Sequence, residues 1–452
     1  MSKRPVAAII LAAGKGTRMK SDLHKVLHPI AGKPMLMHLL SSVDALAPAH
    51  KIVVVGSGKE QLEAALVGTD SLLVVQEPQL GTGHAVRQAE AALAGFDGDV
   101  LILYGDVPLV SAATMQRMVD RLNDEDRPVA VVLGFRPTDP GAYGRIATDD
   151  GRAIRKMVEF KDASQDERAI NLCNSGLMAI SARDLFALLA KVGNANAAGE
   201  YYLPDVVMIA LQQGQTSAVI ETDVDEVTGV NSRAELAAME AQWQMRRRRQ
   251  AMDEGATLIA PETVWFAHDT VIGRDVVIEP NVFFAPGVVI ADSVTIHGFS
   301  HIEGTSVARS AEIGPFARLR PGTVLEEKSK VGNFVEMKKA RLGKGAKANH
   351  LTYLGDADVG AGANIGAGTI TCNYDGFLKY RTEIGAGAFI GSNSALVAPV
   401  TIGDGAIVAA GSVVTADVHA DALAIARGSQ EVKPNWARRF REVMAAKKAQ
   451  GR

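Results

Sequence analysis

Two groups of residues in this chain have the types and spacing of group-transfer chemistry. The first begins at Leu11-Ala12-Ala13-Gly14 and continues through Gly16, Thr17 and Arg18 to Lys25. Two glycines let a backbone turn tightly and present N–H groups to phosphate oxygens. Arg18 and Lys25 add cations suited to phosphate charge. The spacing is not that of the G-x-x-x-x-G-K-[ST] loop, and the third glycine of the dinucleotide fingerprint is missing. The second group centres on His350, in Asn349-His350-Leu-Thr-Tyr353. Around it in sequence stand Arg320, Lys338, Asn364, Asn373, Tyr374 and Lys379. An imidazole is the natural base for an amine attacking a thioester near neutral pH.

These groups need scaffolds, and two different periodicities supply them. In the N-terminal half, Val6–Ala12, Ile52–Val55, Leu72–Val75, Val100–Leu103 and Val129–Leu133 read as buried parallel strands. Helices are expected over Met35–Ala45, Lys59–Leu66, His84–Leu93 and Ala113–Leu122. The alternation predicts a doubly wound α/β sheet, whose ligands sit beyond the carboxyl ends of the strands. The first group lies at such an end. In the C-terminal half, Ile272, Ile278, Phe284, Ile290, Ile296 and Ile302 stand six apart. Ile384, Ile390, Leu396, Ile402, Val408 and Val414 repeat the spacing, and Val276, Val282, Val288 and Val294 form a second comb. A period of six means short strands joined by tight turns, stacked into a β-solenoid. The comb departs from its period at Thr305–Ala311, Glu326–Ala348 and Cys372–Thr382, which read as loops. Between the halves, Ser232 and Glu235 form a capping box. Leu236, Met239, Trp243 and Met245 give the connecting helix an apolar stripe, and Arg246–Arg249 reads as a solvated face.

Composition narrows the rest. At 452 residues, two or three domains are expected. A formal net charge of −3 gives no support to nucleic-acid binding as the main task. The two cysteines, Cys173 and Cys372, lie far apart, so a disulfide framework or cysteine zinc site is not expected and a reducing cytoplasm fits. The apolar run Val6–Ala13 leads straight into the glycine motif and is not read as a leader. No stretch approaches a membrane span.

With these residues in view, the N-terminal loop resembles the signature of sugar-1-phosphate nucleotidyltransferases. The comb resembles the left-handed parallel β-helix of hexapeptide-repeat acyltransferases. Together, across nearly the whole chain, they resemble the bacterial bifunctional N-acetylglucosamine-1-phosphate uridyltransferase / glucosamine-1-phosphate N-acetyltransferase family. The resemblance implies a Rossmann-like uridyltransferase domain over 1–231, a linker helix over 232–252, and a β-helix acetyltransferase domain with a C-terminal arm over 253–452. It implies UTP and sugar binding by Leu11, Ala12, Ala13, Gly14, Lys25, Gln76, Gly81, Thr82, Tyr104, Gly105, Asp106, Gly144, Glu159, Asn174 and Asn231. Asp106 and Asn231 would hold Mg²⁺, with phosphates completing its shell. In the acetyltransferase, His350 would be the base. Arg320, Lys338, Tyr353, Asn364 and Lys379 would hold the sugar phosphate. Ala367, Asn373, Tyr374, Ser392, Ala410 and Arg427 would contact acetyl-CoA.

The implied sequence is acetylation of glucosamine 1-phosphate, then joining of the product to UTP with loss of pyrophosphate. UDP-N-acetylglucosamine results, a precursor of peptidoglycan and lipopolysaccharide. The family is a cytoplasmic homotrimer with no membrane or nucleic-acid partner. A uridyltransferase whose solenoid only assembles the trimer, or a non-enzymatic scaffold that binds a sugar nucleotide, are the other readings.

Overall fold

The computed structural model describes residues 4–14, 16–56, 58–149 and 152–451. The chain divides into two units, Met1–Arg246 and Arg247–Arg452.

The first unit is built on a nine-stranded sheet. Val6–Ala12 lies near one end of it, parallel to His50–Val55 on one side and to Asp99–Tyr104 on the other. The chain moves outward from His50–Val55 to the edge strand Leu72–Val75, then returns to the opposite side at Asp99–Tyr104. That reversal opens a crevice beyond the ends of Val6–Ala12 and Asp99–Tyr104, where ligands of such sheets bind. Alternation along a strand sends side chains to opposite faces. Ala7, Ile9 and Leu11 accordingly enter one buried cluster, and Ala8, Ile10 and Ala12 the other.

The expected strands form, with some differences. Leu72–Val75 is an edge strand rather than a buried one, and Leu72 is 52% exposed. Ala130–Phe135 runs parallel to Ala218–Glu221 but antiparallel to Cys173–Ser181, so the sheet is mixed. The predicted helix His84–Leu93 divides into Thr82–Arg87 and a short 3-10 turn, Ala91–Leu93.

The helix Arg233–Asp253 is present. Leu236, Met239 and Trp243 pack around Ile30, Ala31, Met35 and Val230, but Met245 is 58% exposed. Ser232 Oγ accepts from Glu235 N at 3.2 Å. The Glu235 carboxylate reaches back to the N–H of Asn231 at 2.6 Å, one residue before the expected Ser232.

The second unit is a solenoid of three parallel sheets with ten, eight and eight strands. The comb positions point inward in register, as in Ile278 beside Ile296 and Ile296 beside Ile313. Most are fully buried, each contributing roughly 1.5–3 kcal/mol. Ile272, on an early coil, is only half-buried. Of the three expected departures, Cys372–Thr382 contains a true loop, pinned where Tyr374 pairs with Lys379. Thr305–Ala311 and Glu326–Ala348 are not loops; strands continue through both with sides one residue short, as from Ile302 to Val307 and from Met337 to Leu342.

The arginine run is a solvated face only in part: Arg246 and Arg249 are exposed, but the two between them are engaged. Arg247 donates to the Thr270 carbonyl at 3.0 Å and lies over the Phe266 ring. Arg248 donates to the Val264 carbonyl at 2.8 Å and lies over Trp265.

One outer column of the solenoid titrates. His297 sits between Glu279 at 2.9 Å and Glu312 at 3.1 Å, and Lys330 reaches Glu312 at 2.7 Å. Burial lowers the His297 affinity for protons, but hydrogen bonds to the two carboxylates outweigh it and the net shift is upward. The histidine contribution to stability is therefore present below about pH 6.5 and lost as pH rises through the raised folded value. Glu279 and Glu312 are held low by His297 and Lys330 respectively, so theirs is present above about pH 4.5 and lost on further acidification. His297→Gln should cost the solenoid roughly 0.5–1 kcal/mol near pH 6 and little near pH 8.5, read by urea unfolding. An equal cost at both pH values would contradict this.

Candidate active sites

The crevice in the first unit is a cleft of about 350 Å³ lined by Leu11, Ala12, Ala13, Gly14, Lys25, Gln76, Gly81, Thr82, Tyr104 and Asp106. The two strand ends are tied together, because Gly105 donates to the Leu11 carbonyl at 2.9 Å. Val230 N donates to the Asp106 carbonyl at 2.9 Å, which brings Asn231 alongside. Lys25 comes in on the short turn Lys25–Leu27. Its ammonium lies 2.5 Å from Asp106 Oδ2 and 3.2 Å from Asn231 Oδ1. Two protein oxygens thus converge on one cation. Hard divalent ions take such oxygens, but two are too few for a full shell. Among the described residues no cluster of three His, Cys, Asp or Glu could hold a metal. The donors fit an ion completed by substrate phosphates and water.

On the far side of the cleft, Gln76 is 5% exposed, and its amide donates to the Gly81 carbonyl at 3.0 Å. Gly81 has φ of 107°, and a Cβ there would stand 2.7 Å from the Tyr201 carbonyl oxygen. Only glycine lets the two backbones approach so closely. Thr82 Oγ1 accepts from Leu203 N at 3.0 Å and also bonds the Tyr104 hydroxyl, whose affinity for its proton is pushed up mainly by burial.

Gly144, Glu159 and Asn174 form a neighbouring set that does not line this cleft. Asn174 N donates to Gly144 O at 2.9 Å, and a Cβ on Gly144 would lie 3.2 Å from Glu159 Oε1. Burial, then Asp162 and Asp205, raise the Glu159 carboxyl. Tyr104 separates the two sets, with its ring against Gly176. Arg18 is exposed and makes no contact with the cleft among the described residues. Sequence reading missed Gln79 and Glu200, which also line it. Gln79 bonds the Ala13 carbonyl. Neither residue carries a motif; only the fold brings them in.

In the solenoid, Arg320 and Lys338 project from successive coils of one sheet, and Lys379 stands on the loop beyond. The Lys338 ammonium is held below its usual range by the charge of Lys379 first, then that of Arg320. Arg320 has a partner in Glu336 at 2.8 Å, but nothing acidic pairs with Lys338 or Lys379 among the described residues. This is surplus positive charge in one place, which suits an anion. Tyr353 pairs in register with Glu336, and its hydroxyl reaches toward Gly355.

His350 ends the strand Lys347–His350, and its Nδ1 is 2.6 Å from Asn333 Oδ1. Its own cleft, about 430 Å³, is lined by Lys330, Gly332, Asn333, Lys347 and Asn349, not by Arg320, Lys338, Tyr353 or Lys379. Asn364 lies on the same sheet column as Lys347. A single chain therefore does not bring His350 and the Arg320, Lys338 and Lys379 cations into one cleft.

Ala367, Ser392, Ala410 and Arg427 climb one corner of the solenoid. Asn393 N donates to Ala367 O at 2.7 Å, Gly411 N to Ser392 O at 2.8 Å, and Arg427 to Ala410 O at 2.6 Å. The small side chains leave the corner open to an extended ligand. Asn373 and Tyr374 stand apart from that corner, at the loop; Asn373 donates to Asp356 at 2.6 Å, and Tyr374 donates to the Gly376 carbonyl.

The family model of the MobA-like NTP transferase domain matches residues 8–172. That of the bacterial transferase hexapeptide (six repeats) matches 269–304 and 381–416, which makes the solenoid a left-handed parallel β-helix of that type. A bifunctional protein GlmU of Sphingopyxis alaskensis is 69% identical over 98% of this chain and 98% of its own. One of Rhizorhabdus wittichii is 71% identical over 99% of each. One of Zymomonas mobilis is 60% identical over 97% of this chain and 98% of its own.

Lys379→Gln should release Lys338. Its side-chain amine, followed by NMR titration, should bind its proton at distinctly higher pH than in the parent. An unchanged titration would mean that the cations do not converge.

Proposed function

The chain belongs to the family of bifunctional GlmU proteins, and from that premise we propose how its two units divide the work. It is a bifunctional transferase, with uridyltransferase activity in the N-terminal unit and acetyltransferase activity in the C-terminal one. The observation that carries this reading is coverage: relatives 60–71% identical match both units, nearly end to end. The working boundaries are 1–231, 232–252 and 253–452.

The acetyl step comes first. Arg320, Lys338, Tyr353 and Lys379, with Asn364, hold the phosphate and ring of glucosamine 1-phosphate. Acetyl-CoA lies along the corner of Ala367, Ser392, Ala410 and Arg427, with Asn373 and Tyr374 at the loop. His350 takes a proton from the sugar amine as the nitrogen attacks the thioester carbonyl. The C–S bond then breaks and coenzyme A leaves.

In the uridylyl step, Gln76 and Gly81-Thr82 read the uracil. Gly144, Glu159 and Asn174 hold N-acetylglucosamine 1-phosphate. A sugar-phosphate oxygen attacks the α-phosphorus of UTP and pyrophosphate departs. The attacking oxygen is already an anion, so no protein base is needed. Lys25 neutralises charge and fixes geometry, while Arg18 adds positive charge from outside the cleft. Asp106 and Asn231 would hold Mg²⁺, which would offset the charge developing on the phosphates.

The protein assembles as a homotrimer. Two observations support this. The base and the anion site occupy separate clefts in one chain, so a shared site between neighbours would complete them. Beside His350 runs an exposed apolar ladder, with Phe299, Phe316 and Phe334 stacked 5.0 and 5.2 Å apart and Leu351 next in line. No described helix is long and apolar enough to cross a membrane. Substrates of central metabolism and two free cysteines support a cytoplasmic location.

His350→Ala should lower acetyl transfer by roughly 10²–10⁴-fold and leave uridylyl transfer intact. Asp106→Ala should do the reverse, by about 10²–10³-fold. Loss of both activities from either substitution, in folded protein, would overturn the division.

A further inference from the structure

We infer that Asn333 is the positioning residue for the acetyl-transfer base: it fixes the tautomer of His350 so that Nε2 is the nitrogen that accepts the proton. The inference rests on the assignment of His350 as base.

Asn333 and His350 occupy equivalent places on adjacent parallel strands, Lys330–Asn333 and Lys347–His350, and are direct partners in the register. Asn333 Oδ1 lies 2.6 Å from His350 Nδ1. An amide oxygen only accepts, so Nδ1 carries the hydrogen and the unprotonated nitrogen is Nε2. No other polar group among the described residues contacts the ring. The tautomer therefore depends on this one bond.

The backbone leaves little freedom for the pair to slip. Gly332 sits against the Asn349 carbonyl so closely that a Cβ would collide with it. The Leu351 N–H donates to the Asn333 carbonyl at 3.1 Å. Both strand ends are thus clamped on either side of the side-chain bond.

A neutral amide has a further consequence. A carboxylate in that place would stabilise the imidazolium and keep the base protonated to higher pH. An amide orients the ring without adding charge. The other charged groups facing the cleft are Lys330, Lys347, Glu312 and His297. Glu312 is engaged by Lys330 and His297, which leaves Lys347 as the unpaired charge among the described residues that line the cleft.

The test uses the full-length protein with three substitutions: Asn333→Ala, Asn333→Asp and His350→Ala. Thiol release from acetyl-CoA with glucosamine 1-phosphate is measured across pH. The ring tautomer is read by ¹⁵N NMR of labelled histidine. Asn333→Ala should lower kcat roughly 10–100-fold, less than the loss of the base itself, with KM for the acceptor little changed. The His350 ¹⁵N pattern should show loss of the single Nδ1–H form. Asn333→Asp should recover most of the rate at high pH, with the acidic limb of the profile moved upward by about one pH unit. A merely structural asparagine would move neither the limb nor the tautomer. If Asn333→Ala keeps the parent kcat and profile while His350→Ala is inactive, the inference is overturned and the base assignment stands. If His350→Ala remains active, the base assignment fails and the inference falls with it.

Discussion

The constraint on which the solenoid unit depends is register. Each inward aliphatic side chain must rest on its counterpart one coil away, and the strands that carry it lie about 4.8 Å apart. Once Ile296 sits on Ile313 and Ile313 on Val331, every outward side chain on those strands is placed too. Glu312, Lys330, Lys347 and Asn364 then stand in one column. Arg318, Glu336 and Tyr353 stand in another. The polar columns of the outer surface are a by-product of core stacking, and a slip of one residue would turn every such side chain to the wrong face.

The two units would meet the same demand, binding a phosphate, in different ways. In the first, Lys25 is already shared by Asp106 and Asn231, so protein oxygens and a cation nearly balance. A substrate arriving with several negative charges needs extra positive charge, and the convergent oxygens are suited to bring in a divalent ion. In the second, Lys338 and Lys379 crowd each other with no acid between them. A single phosphate placed between them would relieve their mutual repulsion without any metal.

Much of this is legible in the sequence, for physical reasons. A six-residue comb has no other structural solution, and buried β-branched runs ending in glycine mark strand ends in an α/β sheet. The motif residues Lys25, Asp106 and Asn231 meet although 206 positions separate the first from the last. Other features escape because they depend on neighbours distant in sequence. Cys173–Ser181 alternates too little to reveal an antiparallel partner on each side. A solenoid side one residue short disturbs the period as an insertion would, so Glu326–Ala348 imitates a loop. Asn333 carries no motif and acquires meaning only when a coil places it beside His350. Met245 extends a stripe that the helix turns toward solvent, where Gln244 is buried instead.

Arg247 and Arg248 stand at the initial coil of the solenoid. There, Trp265 and Val271 bond forward to the next coil. Alternation points the intervening carbonyls of Val264 and Thr270 the other way, toward where an earlier coil would lie. These are the groups to which the two guanidinium groups donate. An open coil end of this kind is a template on which another molecule's strand can add, and then another. Two guanidinium groups offer no backbone ladder to continue. By occupying those acceptors and covering Phe266 and Trp265, they confine growth along the axis: the rod has a beginning, and copies of the chain cannot be threaded end to end into a fibre there.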